Sequence, residues 1–166
     1  MRHQTQMAAL LLLSGLLAPL PASAVMHVAL AVADFDYRDT SGEVKDQGAQ
    51  HAARVALFDR LLRDKLAAQG KYQLVPLDCG KPRCSTTTLG AEGLLDTARK
   101  AGARLLIYGG IHKESTLVQW GEVQVVDLEA KKLVYSRTFT FRGDTDEAFR
   151  RAAGFIGGSL ADMTAP

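Results

Sequence analysis

Apolar residues along the chain follow two different periods, one typical of strands and one typical of helices. Three short, mostly apolar runs predict buried strands, at 25–33, 72–77 and 104–111. Two longer stretches repeat apolar residues every three or four positions and predict helices over about 50–69 and 90–101. A glycine follows each of these stretches and marks the predicted helix end.

The last third of the chain predicts a hairpin followed by a helix. Strands are predicted at 116–128 and 132–142, with a β-bulge at Gly121, where the parity of the apolar residues changes. Asp144 then stands where a helix N-cap is expected, with Glu147 three residues later. Apolar positions at helical spacing continue from Phe149 to Met163, so this last helix is expected to dock on the sheet.

The predicted element order is β-α-β-α-β-β-β-α, with a long polar loop at 34–42. Right-handed crossovers then give an α/β fold, a three-layer α/β/α arrangement with a five-stranded mixed sheet. The expected strand order is 2-1-3-4-5, with the fourth strand antiparallel. This arrangement resembles the anticodon-binding-like fold of the amino-terminal domain of TolB and of other envelope proteins, a likeness that implies no chemistry.

Residues 1–24 have the pattern of a secretory signal peptide. A positive start precedes the apolar run Met7–Leu20, and Ala22-Ser23-Ala24 forms an A-x-A cleavage site. The apolar run is shorter than the roughly 20 residues that a membrane span needs. No cysteine follows the cleavage point, so no lipoprotein anchor is expected. We therefore expect residues 25–166 to form a single α/β domain in the periplasm, without a transmembrane segment.

Charge and cysteine content narrow the functional classes. The chain has 20 Lys and Arg residues against 18 Asp and Glu residues, a balance that predicts no nucleic-acid partner. Cys79 and Cys84 are expected to form a disulfide in an oxidising compartment, with redox and metal-binding roles as the alternatives. Their C-x4-C spacing differs from the C-x-x-C pair that redox catalysis uses.

Three stretches, at 32–43, 102–117 (GARLLIYGGIHKESTL) and 141–151 (FRGDTDEAFRR), resemble a family of small exported proteobacterial proteins, a domain of unknown function. The resemblance covers nearly all of the mature chain. It implies export and the fold described above, and it implies no activity. For some relatives it also implies a link to a periplasmic quinoprotein system.

Candidate ligand-binding residues lie where the strands of an open α/β sheet end, at the switch point in strand order. They are Asp34, Asp36, Gly109, Gly110, His112 and Lys113. Glycines let a ligand approach the backbone, carboxylates and histidine bind cations or transfer protons, and lysine holds an anion. The alternative is structural: the two aspartates cap turns, and His112-Lys113 is a solvated strand end. Trp120 is predicted either to anchor a partner or to pack against a helix.

These observations support three hypotheses of function. No nucleophile–base pair, zinc spacing or phosphate-binding loop is recognised, and so no catalytic residue, metal or cofactor is predicted. The favoured hypothesis is a non-enzymatic binding or adaptor module for a periplasmic or envelope protein or a small ligand. The second is a small enzyme or metal-binding protein that uses Asp34, Asp36 and His112. The third is a thiol-disulfide accessory protein that uses Cys79 and Cys84, linked to a quinoprotein system.

Overall fold

The apolar runs form the middle of a mixed sheet with helices on its faces. The computed structural model describes residues 27–163, so the predicted signal peptide and its cleavage site lie outside the described residues. The elements in chain order are β1 (Val28–Val32), β2 (Asp36–Asp39), α1 (Gly48–Ala67), β3 (Tyr72–Leu74), α2 (Thr86–Lys100), β4 (Leu105–Lys113), β5 (Val118–Asp127), β6 (Lys132–Arg142) and α3 (Asp146–Ala161). Within this part of the chain, none of the helices combines the length and apolar character that a membrane crossing needs.

The sheet has six strands, one more than predicted. The main path runs β3-β1-β4-β5-β6, and β2 pairs separately with β4. β1 is parallel to β3 and β4, and β2 is parallel to β4, whereas β5 is antiparallel to both β4 and β6. The prediction of a loop at 34–42 is therefore wrong for residues 36–39. Asp36–Asp39 forms a parallel strand in register with Gly110–Lys113. Backbone hydrogen bonds hold this strand, and its polar side chains do not show the apolar pattern by which a strand is predicted.

Two hydrophobic clusters cover the two faces of the sheet. Alternation along β1 sends Leu30 and Val32 to one cluster and Ala31 and Ala33 to the other. The first cluster, which defines the inner face, includes apolar side chains of α1 and α3. The second is smaller, lies on the outer face and includes Leu94 and Ala98 of α2.

Two local predictions are wrong. The irregularity in the β5–β6 pairing lies between Val125 and Val126, and the register passes through Gly121 without a shift. A Cβ at Gly121 would lie 2.4 Å from Cζ of Phe139, so this glycine makes room for the aromatic ring. The N-cap of α3 is Thr145, whose side chain accepts a hydrogen bond from the backbone N–H of Ala148. Asp144 belongs instead to an ion-pair cluster.

Candidate functional site on the outer face of the sheet

Strand register brings several predicted site residues together on the outer face. Asp36 of β2 pairs with Gly110 of β4, and Gly110 pairs with Glu122 of β5. One row along, His112 pairs with Trp120. Paired residues point to the same side of a sheet, so these side chains share one face.

The His112 and Trp120 rings form an aromatic pair in this row. Their centroids are 5.0 Å apart, and both residues are half-buried. The indole N–H of Trp120 donates to Oε2 of Glu114 at 3.0 Å, and Nε2 of His112 lies 2.7 Å from Oγ1 of Thr40. Trp120 belongs to neither hydrophobic cluster: it faces away from the inner cluster and is not among the side chains of the outer one. The pair therefore stands at the surface with its orientation fixed by hydrogen bonds.

A cleft of about 300 Å³ opens beside this pair, lined in part by Asp36, Gly110, His112, Trp120 and Glu122. A second cleft of about 190 Å³ shares Asp36, Gly110 and Glu122 and extends to Tyr108 and Gln124. The structure thus brings four of the predicted residues to one cleft, Trp120 among them. Sequence reasoning missed Glu122 and Tyr108. Each lies two residues from a predicted site residue on the same strand, so period-two alternation was the signal for both.

Asp34 lies elsewhere, in a cleft that it shares with Arg63 and Cys84. Its Oδ1 accepts from Arg63 at 2.8 Å and its Oδ2 from the backbone N–H of Cys84 at 2.7 Å. The combination of Asp34, Asp36 and His112 is therefore not gathered in one cleft. Across residues 27–163, no group of three or more His, Cys, Asp and Glu side chains is arranged to hold a metal ion.

The Cys79–Cys84 disulfide is present, as predicted, and its loop is attached to the end of β1. Arg83 of this loop donates to the backbone oxygen of Phe35 at 2.8 Å and to Oδ2 of Asp59 at 3.1 Å. Asp59 is only 2% exposed, and burial raises the pKa of its carboxyl to about 6, despite the hydrogen bond from Phe35 and the nearby arginine. The loop is thus tied to the core by an ion pair between a partly exposed arginine and a buried carboxylate.

Two other predicted site residues of β4, Gly109 and Lys113, lie at positions whose Cβ faces away from the outer face. A Cβ at Gly109 would lie 2.1 Å from the backbone oxygen of Glu122 and 2.7 Å from the Phe35 ring, so this glycine serves packing. Lys113 is 0% exposed, contrary to a solvated strand end. In this conformation it presents no surface to a ligand, and its role in anion binding stays a prediction.

Lys113 lies within a group of charged residues that we call the Lys113 cluster: Lys113, Asp39, Glu43, His51, Arg54 and Asp144. Its ammonium pairs with Glu43, with Asp144 at 2.9 Å and with Asp39 at 3.7 Å. Burial acts to lower the pKa of Lys113, but the hydrogen bonds to Glu43 and Asp144 more than offset it, and the pKa is raised. For Asp144, burial acts to raise the pKa, but bonds from Lys113 and His51 bring it below its usual range.

Known structures share the fold at low sequence identity. The chain is similar to the PelC dodecamer from Paraburkholderia phytofirmans, with 16% identity, a TM-score of 0.52, and coverage of 84% of this chain and 89% of that chain. The hypothetical protein CT253 from Chlamydia trachomatis matches with 11% identity and a TM-score of 0.54, over 83% of this chain and 98% of that one. TolB from Acinetobacter baumannii matches with 11% identity and a TM-score of 0.51, over 81% of this chain but only 27% of TolB. At these identities the likenesses show the fold alone.

Sequence comparison gives the family. No curated protein matches the chain. The family model DUF3280, described as "Protein of unknown function (DUF2380)", matches residues 28–158. The predicted resemblance to an uncharacterised family with a TolB-like fold is therefore confirmed. The chain belongs to the DUF3280 family of proteins of unknown function.

Proposed function

We propose that the protein is an exported, periplasmic binding module that recognises an envelope protein through the outer face of its sheet. One observation carries the proposal. The cleft beside β4 gathers Asp36, Gly110 and His112 with Trp120, an aromatic side chain of the type that anchors protein interfaces. Export rests on the signal-peptide pattern of residues 1–24.

The helix on the outer face leaves this region open, in keeping with the proposed three-layer arrangement. The outer cluster reaches Tyr108 and Val126 at its edge and does not extend to His112 or Trp120. On β6, the neighbouring strand, Thr138 and Thr140 are exposed. The result is a polar surface, indented by the cleft, around an aromatic pair, a composition that suits a reversible, partly hydrated interface.

Binding accounts for this geometry better than the two alternative hypotheses. The acid–base set of the enzyme hypothesis is divided between two clefts, because Asp34 pairs with Arg63 away from His112. For a thiol-disulfide role, an accessible sulfur is needed. Cys79 is half-buried, but Cys84 is only 9% exposed and its backbone exchanges two hydrogen bonds with Asp34, which favours a structural bridge.

In-cell crosslinking tests the proposal. Tagged protein is crosslinked in the periplasm of its own cells and purified, and the captured proteins are identified by mass spectrometry. We expect one reproducible envelope partner that is lost with Trp120→Ala. Phe155→Ala is the matched control, because Phe155 is a 50% exposed aromatic residue on α3, on the inner face. Equal losses in both variants, or no partner for the wild type, would contradict the proposal.

Amino-terminal sequencing of the same preparation checks export. A mature protein that begins at Val25 is expected. Intact protein that begins at Met1 and stays in the cytoplasm would contradict the periplasmic location.

A further inference from the structure

The outer face contains an open slot above Gly110, bounded by side chains of neighbouring residues. We call it the Gly110 slot: Asp36, Tyr108, Gly110, Glu122 and Gln124, which all line the smaller cleft. Asp36 and Glu122 flank Gly110 on the two adjacent strands. Adjacent strands are about 4.8 Å apart, so the two carboxylate-bearing residues lie about 10 Å apart across the slot. The missing side chain at Gly110 leaves the space between them open.

An aromatic side chain forms one end of the slot. Tyr108 lies two residues before Gly110 on β4, and its ring is half-buried against the outer cluster. Burial raises the pKa of the Tyr108 hydroxyl, and the negative charge of Glu122 raises it further. The phenol therefore stays neutral, and its ring lies close enough to Glu122 to feel that charge.

The two carboxylates of the slot differ from others at this end of the sheet. Asp34, Asp39 and Asp144 each form an ion pair with a lysine or arginine. Among residues 27–163, neither Asp36 nor Glu122 has such a partner. Their hydrogen bonds come from neutral groups: the backbone N–H of Thr87 donates to Oδ2 of Asp36 at 3.1 Å, and Nε2 of Gln124 donates to Oε1 of Glu122 at 2.6 Å.

These neutral donors hold the carboxylates in place but leave their negative charge uncompensated. Arg38, an arginine on this face, lies opposite His112 in the strand register, one row away, and lines the larger cleft and not the smaller one. Its repulsion disfavours a cation at the His112 end. A cation is therefore favoured at the Tyr108 end, between two acidic walls and beside an aromatic ring.

We infer that the Gly110 slot binds one organic cation, the ammonium or guanidinium group of a lysine or arginine side chain. The inference rests on the proposed function, since such a side chain would belong to the envelope partner. The two carboxylates neutralise the positive charge of such a group and accept hydrogen bonds from its N–H donors. The tyrosine ring packs against the alkyl stem and attracts the charge by a cation–π interaction. A free polyamine offers the same chemistry, so the experiment separates the two sources.

Titrations of isotope-labelled protein, followed by NMR amide shifts, test the slot directly. The probes are N-acetyl-lysine-methylamide, N-acetyl-arginine-methylamide and spermidine, with N-acetyl-norleucine-methylamide as the neutral analogue. We expect saturable shifts at Tyr108, Gly110 and Gln124 with the cationic probes, and none with norleucine. Stronger binding of spermidine than of both amino-acid probes would instead identify a free polyamine as the ligand.

Three variants and one control give the test its specificity. Glu122→Gln and Asp36→Asn keep the shape and remove a charge, and each is expected to weaken binding about fivefold or more. Gly110→Ala places a methyl group in the slot and is also expected to weaken binding; its Cβ would lie 3.4 Å from the backbone oxygen of Asp36, so the fold is retained. Glu129→Gln changes an exposed carboxylate on the β5–β6 turn and serves as the control. Equal affinity in Glu122→Gln and in Glu129→Gln would overturn the inference.

The crosslinking experiment distinguishes failure of the slot from failure of the proposed function. Capture of a partner that is lost with Trp120→Ala but unchanged in Glu122→Gln and Asp36→Asn would refute the cation slot and leave the binding module intact. Absence of any partner for the wild type would refute the binding module, whatever the cationic probes show.

Discussion

Replacement of Lys113 by methionine tests whether buried charge pairing holds the end of the sheet together. Lys113 is 0% exposed, and Asp144, one of its carboxylate partners, is also nearly buried. Loss of one partner of a buried ion pair costs about 3–5 kcal/mol when the other charge is left unpaired. Arg54 and His51 also contact Asp144 and compensate part of its charge, so we expect a loss at the lower end, about 3 kcal/mol. For a domain of this size, that corresponds to a fall in Tm of roughly 6–12 °C. Lys132→Met, at the exposed start of β6, is the control and should change stability by less than about 0.5 kcal/mol.

The pH dependence of this loss separates charge from packing. The pKa of Asp144 is depressed in the folded protein, so its stabilising contribution is present above the unfolded pKa and is lost as pH falls through the folded pKa. Without Lys113 the carboxyl of Asp144 loses one of its partners and accepts a proton at a higher pH, which relieves its remaining charge in acid. Because the usual pKa of Asp is 3.8 and that of Asp144 lies below it, urea unfolding at pH 7 and pH 3 should show a smaller difference between variant and wild type at the lower pH. A difference below about 1 kcal/mol at pH 7, or one that does not change with pH, would show that the charge of Lys113 does not stabilise this end of the sheet.

Three further predictions concern the packing around the site. Cys79→Ser/Cys84→Ser should lower the free energy of unfolding by about 2 kcal/mol in urea titrations, whereas dithiothreitol should no longer affect the variant; an unchanged midpoint would contradict a structural bridge. Asp59→Asn should gain stability relative to the wild type as pH rises from 4.5 to 7.5, by about 2 kcal/mol, because the stability of the wild type falls between the unfolded pKa of Asp59, 3.8, and its folded pKa of about 6. A pH-independent difference would count against that pKa. Gly109→Ala should lower the free energy of unfolding by about 3 kcal/mol or more, measured by thermal melts, because its Cβ would lie 2.1 Å from a main-chain oxygen of β5. Gly110→Ala should change the stability little. Equal Tm values for the two variants would be inconsistent with this packing.

Periodicity was enough to predict the elements that bury apolar side chains, and it failed where polar residues form structure. The helices α1 and α3 and the strands β1, β4, β5 and β6 lie close to the predicted ranges, because one face of each packs in a core. Asp36–Asp39 was predicted as loop, since only Tyr37 is apolar and the pairing with β4 is made by the backbone. At Gly121, the parity argument assumed that apolar residues face inward, yet Val118 and Trp120 lie on the outer face.

The candidate site was predicted in part for the same reason. Asp36, Gly110 and His112 were found because parallel strands end at a common edge, a rule that depends only on topology. The Lys113 cluster was not predicted. It joins charged residues from four separate segments of the chain, and no local pattern indicates that a lysine at a strand end is buried among them.

We expect a partner in the cell to contact the outer face of the sheet, and site-specific photo-crosslinking detects such a contact at single residues. A photoreactive amino acid is placed at Thr140, which is exposed and pairs with Trp120 across β5 and β6, and separately at Phe155 on α3. We predict a discrete crosslinked product on irradiation from position 140 and none from position 155. A product from position 155 alone, or none from either position, would contradict the assignment of the outer face as the binding surface.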